Sequence, residues 1–144
     1  MRILLDTSVL VAAMVEAHPA HSAALPWLQR AKGGIDTGLV AAHSLAELYA
    51  ILTTLPVEPR ILPSIALELI KHNVLDMLEV VFLSGDDYAT LISRLAGLGI
   101  VGGATYDALI LHAASKANVD QVITLNEKDF RRVYPELADR IVSP

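Results

Sequence analysis

The chain has 144 residues, which suits one domain with a sizeable buried core. Hydrophobic residues make up 53% and charged residues 19%, which excludes a disordered chain; the apolar excess points to elements covered on both faces or to a surface meant for a partner. The absence of cysteine excludes disulfides and thiolate metal sites, and the net charge of -5 argues against a nucleic-acid partner only until acids held by cations are set aside, when the remainder is almost neutral.

Arg2 to Leu5 is a short apolar run closed by Asp6 and is predicted as a buried strand. That early acid also interrupts the run a secretory leader needs, and no stretch reaches the roughly 18 uninterrupted apolar residues of a membrane span. A cytoplasmic protein without membrane contact is expected. Thr7 to Glu16 reads as a helix, with Asp6, Thr7 and Ser8 as N-cap candidates, and Pro19 to Lys32 as a second, ended by Gly33 and Gly34. Ile35 to Ala41 is the next strand, and Ser44 to Leu55 is a helix broken by Pro56 and Pro59. A helix from Arg60 to His72, a strand over Leu78 to Leu83, and a helix capped by Ser84 and running to Ala96 follow. A glycine-rich loop leads to an apolar helix over Thr105 to Ala117 and a strand over Val119 to Thr124. Asn126 to Val133 is a short helix, and Arg140 to Val142 a final edge strand.

This alternation predicts an α/β fold: a parallel sheet of four or five strands with helices on both faces, in a single domain over 1–144. Ligands in such sheets gather outside the carboxyl ends of the strands. Asp6 follows the first strand, Glu47 lies early in the helix after the second, Asp107 opens the helix before the fourth strand, and Asp129 lies just past that strand.

Their neighbours sharpen the signal. The helical neighbours of Glu47 are Ala50 and Ile51; those of Asp107 are Ile110 and Leu111. Acids on apolar stripes are costly unless compensated, and neither has a Lys or Arg one turn away. A divalent cation is the compensation left, and an oxygen-only ligand set suits Mg²⁺ or Mn²⁺ better than zinc. Such ions serve phosphodiester hydrolysis. Each acid also has a plainer reading: Asp6 as an N-cap, Asp107 as a partner of its helix dipole, Asp129 as a surface acid beside Arg132. Glu47 is the hardest to explain structurally.

The segments around these acids are Ile3-Leu4-Leu5-Asp6-Thr7-Ser8-Val9-Leu10, Leu45-Ala46-Glu47-Leu48, Tyr106-Asp107-Ala108-Leu109-Ile110 and Ile123-Thr124-Leu125-Asn126-Glu127-Lys128-Asp129-Phe130. In order and spacing they resemble the PIN-domain family, and most closely the VapC-type toxins of toxin–antitoxin modules. The resemblance implies a three-layer α/β/α fold with a short parallel sheet and Mg²⁺-dependent endoribonuclease activity. It implies that Asp6 and Asp107 are primary metal ligands, that Asp129 binds the same or a second ion, and that Glu47 acts through water or as a further ligand. Thr7, Thr124 and Asn126 would orient these groups. A small antitoxin, in an apolar groove lined by the early helices, and a homodimer are also implied. Leu125 departs from the pattern, since many members carry a basic residue there, and the third segment holds one acid where some members hold two.

A water nucleophile would leave a 5′ phosphate and a 3′ hydroxyl. Lys116, Lys128, Arg131 and Arg132 are the candidate cations for the RNA backbone, with solvated surface charge as the alternative. Tyr106 and Trp27 are candidate stacking aromatics, with core or interface roles as the alternative. His43 stands one turn before Glu47, within reach of a hydrogen bond. A catalytically silent PIN-like binding or scaffold module is the rival reading. A small-ester phosphohydrolase is disfavoured because Ser8 stands where a second Asp is needed. A phosphoacceptor receiver domain is disfavoured because its lysine and acidic pair are not evident.

Overall fold

The computed structural model describes residues 1–144. The elements follow in the order β1 (Arg2–Leu5), α1 (Thr7–Met14), α2 (His21–Lys32), β2 (Thr37–Ala41), α3 (Ala42–Leu52) and α4 (Pro63–Ile70). Then come β3 (Glu79–Val81), α5 (Gly85–Leu98), α6 (Ala104–Lys116), β4 (Gln121–Ile123), α7 (Glu127–Val133) and β5 (Ile141–Val142). All four strand pairings are parallel, in the order β3-β2-β1-β4-β5. The expected α/β architecture is therefore present, with the fifth strand at the edge.

Alternation of side chains along each strand builds the three layers. Ile3 and Leu5 of β1, Val40 of β2 and Ile123 of β4 point to one face, under α1 to α4. Leu4, Leu39, Ala41 and Val122 point to the other, under α5, α6 and α7. β1 is buried on both faces, which is why it reads as an unbroken apolar run. Gly38 lets α2 approach the sheet: a Cβ there would stand 2.5 Å from Leu78 Cδ2 and 2.7 Å from Ala31 Cβ.

Several boundaries differ from the sequence expectations. The strand expected over Leu78 to Leu83 pairs only at Glu79–Val81, because β3 is an edge with a single neighbour. The helix expected from Arg60 begins at Pro63, whose fixed φ suits a first helical position, and its last turn widens into a π-turn over Lys71–Leu75. α1 stops at Met14 rather than Glu16. α3 follows β2 directly, starting at Ala42 and ending at Leu52. α5 extends past Ala96 to Leu98, closed by left-handed Gly99.

Candidate active site

β1 lies at the centre of the sheet, with β2 and β3 on one side and β4 and β5 on the other. The reversal opens a crevice at the carboxyl ends of β1 and β4. Asp6 leaves β1 there, and Thr124 and Asn126 leave β4.

The Asp6 side chain is fixed from three directions. Its Oδ1 accepts from the Thr7 backbone N–H at 2.7 Å, capping α1. Its Oδ2 accepts from Ser8 Oγ at 2.6 Å and from Thr124 Oγ1 at 2.8 Å. Asp6 is 3% exposed, and burial raises its pKa despite these donors. It therefore caps a helix and belongs to the acidic cluster at once. Ser8 was not among the expected site residues. Its hydroxyl also accepts from the Leu125 backbone N–H at 3.1 Å, tying the loop after β4 to the start of α1. A hydroxyl two positions after an acid at a helix start was the available signal.

Glu47 on α3 accepts from Thr7 Oγ1 at 3.0 Å. His43 does not hydrogen-bond Glu47: its Nε2 stands 3.6 Å from Oε1. Asp107, in the first turn of α6, has its carboxyl pushed up to about 6, first by burial and then by the charges of Asp6, Asp129 and Glu47, with Arg132 opposing. Asp6, Ser8, Glu47, Asp107 and Asn126 wall one cavity of about 140 Å³, with Ile51 and Ile110 on its apolar side. Thr7 completes the lining, and the Asn126 backbone N–H donates to Thr124 Oγ1 at 3.0 Å.

Asp129 is not in that wall. Its side chain on α7 is 60% exposed, and its Oδ1 lies 3.8 Å from Arg132 Nη2. Three acids thus share the cavity and the fourth lies outside its lining, near enough to act on Asp107 by charge.

Another acid gives the contrast. Asp36, before β2, is 4% exposed, but Arg30 Nε donates to it at 2.7 Å and holds its pKa below the usual range. Asp6, equally buried, has hydroxyl and amide donors and no cation. The cavity thus gathers three carboxylates with neither Lys nor Arg in its wall. No three of its acid or imidazole groups converge closely enough to cage an ion by themselves. An ion that keeps several waters and takes only one or two carboxylates suits such an arrangement, and Mg²⁺ behaves in that way.

The candidate cations divide. Lys116 sits at the far end of α6 from Asp107 and donates to Asp87 Oδ2 at 2.6 Å and to the Phe82 carbonyl at 3.0 Å. Arg131 donates to Glu127 at 3.0 Å and to the Ile141 carbonyl at 2.9 Å, pinning α7 to β5. Lys128 and Arg132 are exposed beside Asp129. Of the aromatics, Tyr106 is 52% exposed, while Trp27 is half-buried against the core with Arg30 over its ring.

The PIN domain family matches residues 3–135. The chain belongs to the PIN-domain family. Ribonuclease VapC27 of Mycobacterium tuberculosis is 35% identical over 111 residues, spanning 77% of this PIN domain and 75% of that protein. The PIN fold is shared with two solved structures. One is VapBC2 from Rickettsia felis bound to a DNA fragment from their promoter, with TM-score 0.64, 22% identity, all of this chain and 98% of that one. The other is Mycobacterium tuberculosis VapC20, described as a Sarcin-Ricin loop cleaving toxin, with TM-score 0.65, 16% identity, 83% of this chain and 86% of that one.

Proposed function

We propose that this PIN domain is a Mg²⁺-dependent endoribonuclease, the toxin of a type II toxin–antitoxin module. The observation that carries the reading is the cavity where Asp6, Glu47 and Asp107 meet without a cation among its walls. The ribonuclease name of a relative 35% identical across most of the chain supports it. A scaffold has no need of a cluster that costs the fold stability.

Asp6 and Asp107 would hold the ion, and Glu47 and Asp129 would act on it through water. When bound, Mg²⁺ supplies stabilisation of phosphoryl charge and makes water a stronger nucleophile at neutral pH. The chain's own residues do the positioning. Ser8, Thr124 and the Thr7 N–H aim Asp6 into the cavity, and the Thr7 hydroxyl aims Glu47. Asn126 stands in the wall, where its amide can bond a phosphate oxygen or a water. Ile51 and Ile110 limit water on the remaining side. Lys128, and Arg132 beside Asp129, are the exposed cations offered to the RNA backbone.

Two partly apolar clefts beside α1 support an antitoxin partner. One, of about 450 Å³, is lined by Ala13, Met14, Leu25, Leu28 and Met77 with Gln29, Lys32 and Asn73 among them; the other, of about 470 Å³, by Val15, Val57, Ile61 and Leu69 with Glu16 and Glu58. Exposed Tyr88, Ile92, Leu98 and Val101 along and after α5 favour a homodimer. No helix is long and apolar enough to cross a membrane, and a cytoplasmic location is part of the proposal.

The test is an RNA cleavage assay in Mg²⁺, in Mn²⁺ and in EDTA, with Asp6→Asn alongside. Cleavage in either metal, loss in EDTA and in the variant, and 5′ phosphate ends are expected. Recovery of 2′,3′-cyclic ends, or equal cleavage by Asp6→Asn, overturns the reading.

A further inference from the structure

His43 of α3 and Tyr106 of α6 have parallel rings, with centroids 5.2 Å apart and planes 2° apart. Beside the pair lies an open cleft of about 330 Å³, lined by His43, Ala46, Glu47, Ala50 and Tyr106. Two alanines one helical turn apart leave it room. Glu47 walls both this cleft and the carboxylate cavity, so the two adjoin through one side chain. The positioning of the acids makes no use of the ring pair: His43 falls short of a hydrogen bond to Glu47, and Tyr106 leaves half its surface to solvent although the next residue is Asp107.

We propose that this cleft is a nucleobase subsite, in which an unpaired base next to the scissile phosphate of a single-stranded RNA stacks on the Tyr106–His43 pair. The proposal rests on the ribonuclease reading for its substrate. The lining argues for a base rather than a second phosphate, because it holds a carboxylate and neither Lys nor Arg. A flat aromatic platform that ends at an acid cluster takes a base by its face, and only a base free of its own helix presents that face. In a chain with 5% aromatic residues, a parallel pair at this position is the one built stacking surface beside the acids.

The test uses a single-stranded oligoribonucleotide with one abasic position walked past the cleavage point, in Mg²⁺, on wild type, Tyr106→Ala and Tyr106→Phe. At one flanking position the abasic substitution is expected to raise the wild-type KM about tenfold and leave kcat unchanged. Tyr106→Ala should show the same rise on the intact RNA and no further rise with the abasic one. Tyr106→Phe keeps the ring and should keep the wild-type KM. The same oligonucleotides, fluorescein-labelled, are titrated by anisotropy against Asp6→Asn, with and without Tyr106→Ala. Cleavage with a KM indifferent to Tyr106→Ala and to every abasic position overturns the subsite and leaves the ribonuclease. Binding that depends on Tyr106 and on one base, with no cleavage by wild type, supports the subsite and overturns the ribonuclease. An altered oligomeric state in Tyr106→Ala with unchanged RNA affinity overturns the subsite in favour of an interface role.

Discussion

Thr7 and Glu47, 40 positions apart, are joined by a 3.0 Å hydrogen bond in which the Thr7 hydroxyl donates to Glu47 Oε1. The backbone N–H of the same residue donates to Asp6 Oδ1. One residue at the start of α1 therefore orients two carboxylates from different elements.

Replacing Thr7 by Val keeps its shape and removes only the hydroxyl. We expect Thr7→Val to lower kcat/KM for RNA cleavage about tenfold, in line with the loss of a group that orients a ligand. Thr7→Ser, which keeps the donor, should stay close to wild type. Equal activity of all three would show that the bond does not matter to the chemistry.

Asp6→Asn separates the acid's two tasks. Asparagine caps a helix as well as aspartate, so α1 is expected to remain intact. Burial disfavours the charged form of Asp6, so the neutral amide should leave the melting temperature in EDTA at pH 7 no lower than that of wild type. Cleavage should fall roughly 100- to 1000-fold, reflecting lost stabilisation of transition-state charge. Thermal unfolding and a cleavage time course on one preparation read both effects.

Asp107 makes the metal-free fold sensitive to pH. Its folded carboxyl titrates at about 6, above the usual carboxylate range, so between those values the folded chain holds a proton that the unfolded chain has released. Stability from this group is therefore lost as pH rises through that window. A cation among the acids reverses the loss, so saturating Mg²⁺ should raise the melting temperature by roughly 5–10 °C at pH 7.5 and by much less at pH 5. Calorimetry with and without EDTA at the two pH values reads the difference, and an equal gain at both would contradict the assignment.

Lys116 and the pair Lys128–Arg132 should behave as different classes. Lys116 holds the Asp87 carboxyl down at about 2, first through its hydrogen bond, so the link between α5 and α6 is complete above the usual carboxylate range and is lost as pH falls towards that value. Lys116→Met should lower the urea midpoint at pH 6, with the difference from wild type shrinking below pH 4, and should leave the KM for RNA unchanged. Lys128→Ala and Arg132→Ala should raise KM and each reduce the salt dependence of RNA binding by about one unit of slope.

Gly38→Ala tests the approach of α2 to the sheet. The added methyl would meet Leu78 and Ala31 well inside contact distance, so unfolding in urea should show a loss of about 1–3 kcal/mol with the same secondary structure by circular dichroism.

Part of the candidate site was legible because acids on apolar stripes are conspicuous. Asp107 beside Ile110 and Leu111, both buried, stands out from any solvated face; Glu47 was singled out on the same ground, but it is 31% exposed and its neighbours Ala46 and Ala50 face solvent. Asp129 had no such neighbours, and it is the acid that lies exposed outside the cavity lining. Ser8 escaped notice because a serine at a helix start has an ordinary explanation as a cap. Lys116 and Arg131 looked like the other cations because their charge is visible in the sequence and their partners, Asp87 and the Ile141 carbonyl, are not.

Local spacing alone determined the alternation of strands and helices, the parallel sheet and the placement of acids near strand ends, since apolar periodicity and cap residues act over a few positions. Packing decided which acids share a cavity, which partners hold Lys116 and Arg131, and that His43 turns its ring to Tyr106 instead of bonding Glu47. The cavity and the ring pair depend on how α3 lies against α6, and the cations' partners on how α6 lies against α5 and α7 against β5; side chains filling the core between elements far apart in the chain set these relations, and no short-range pattern records them.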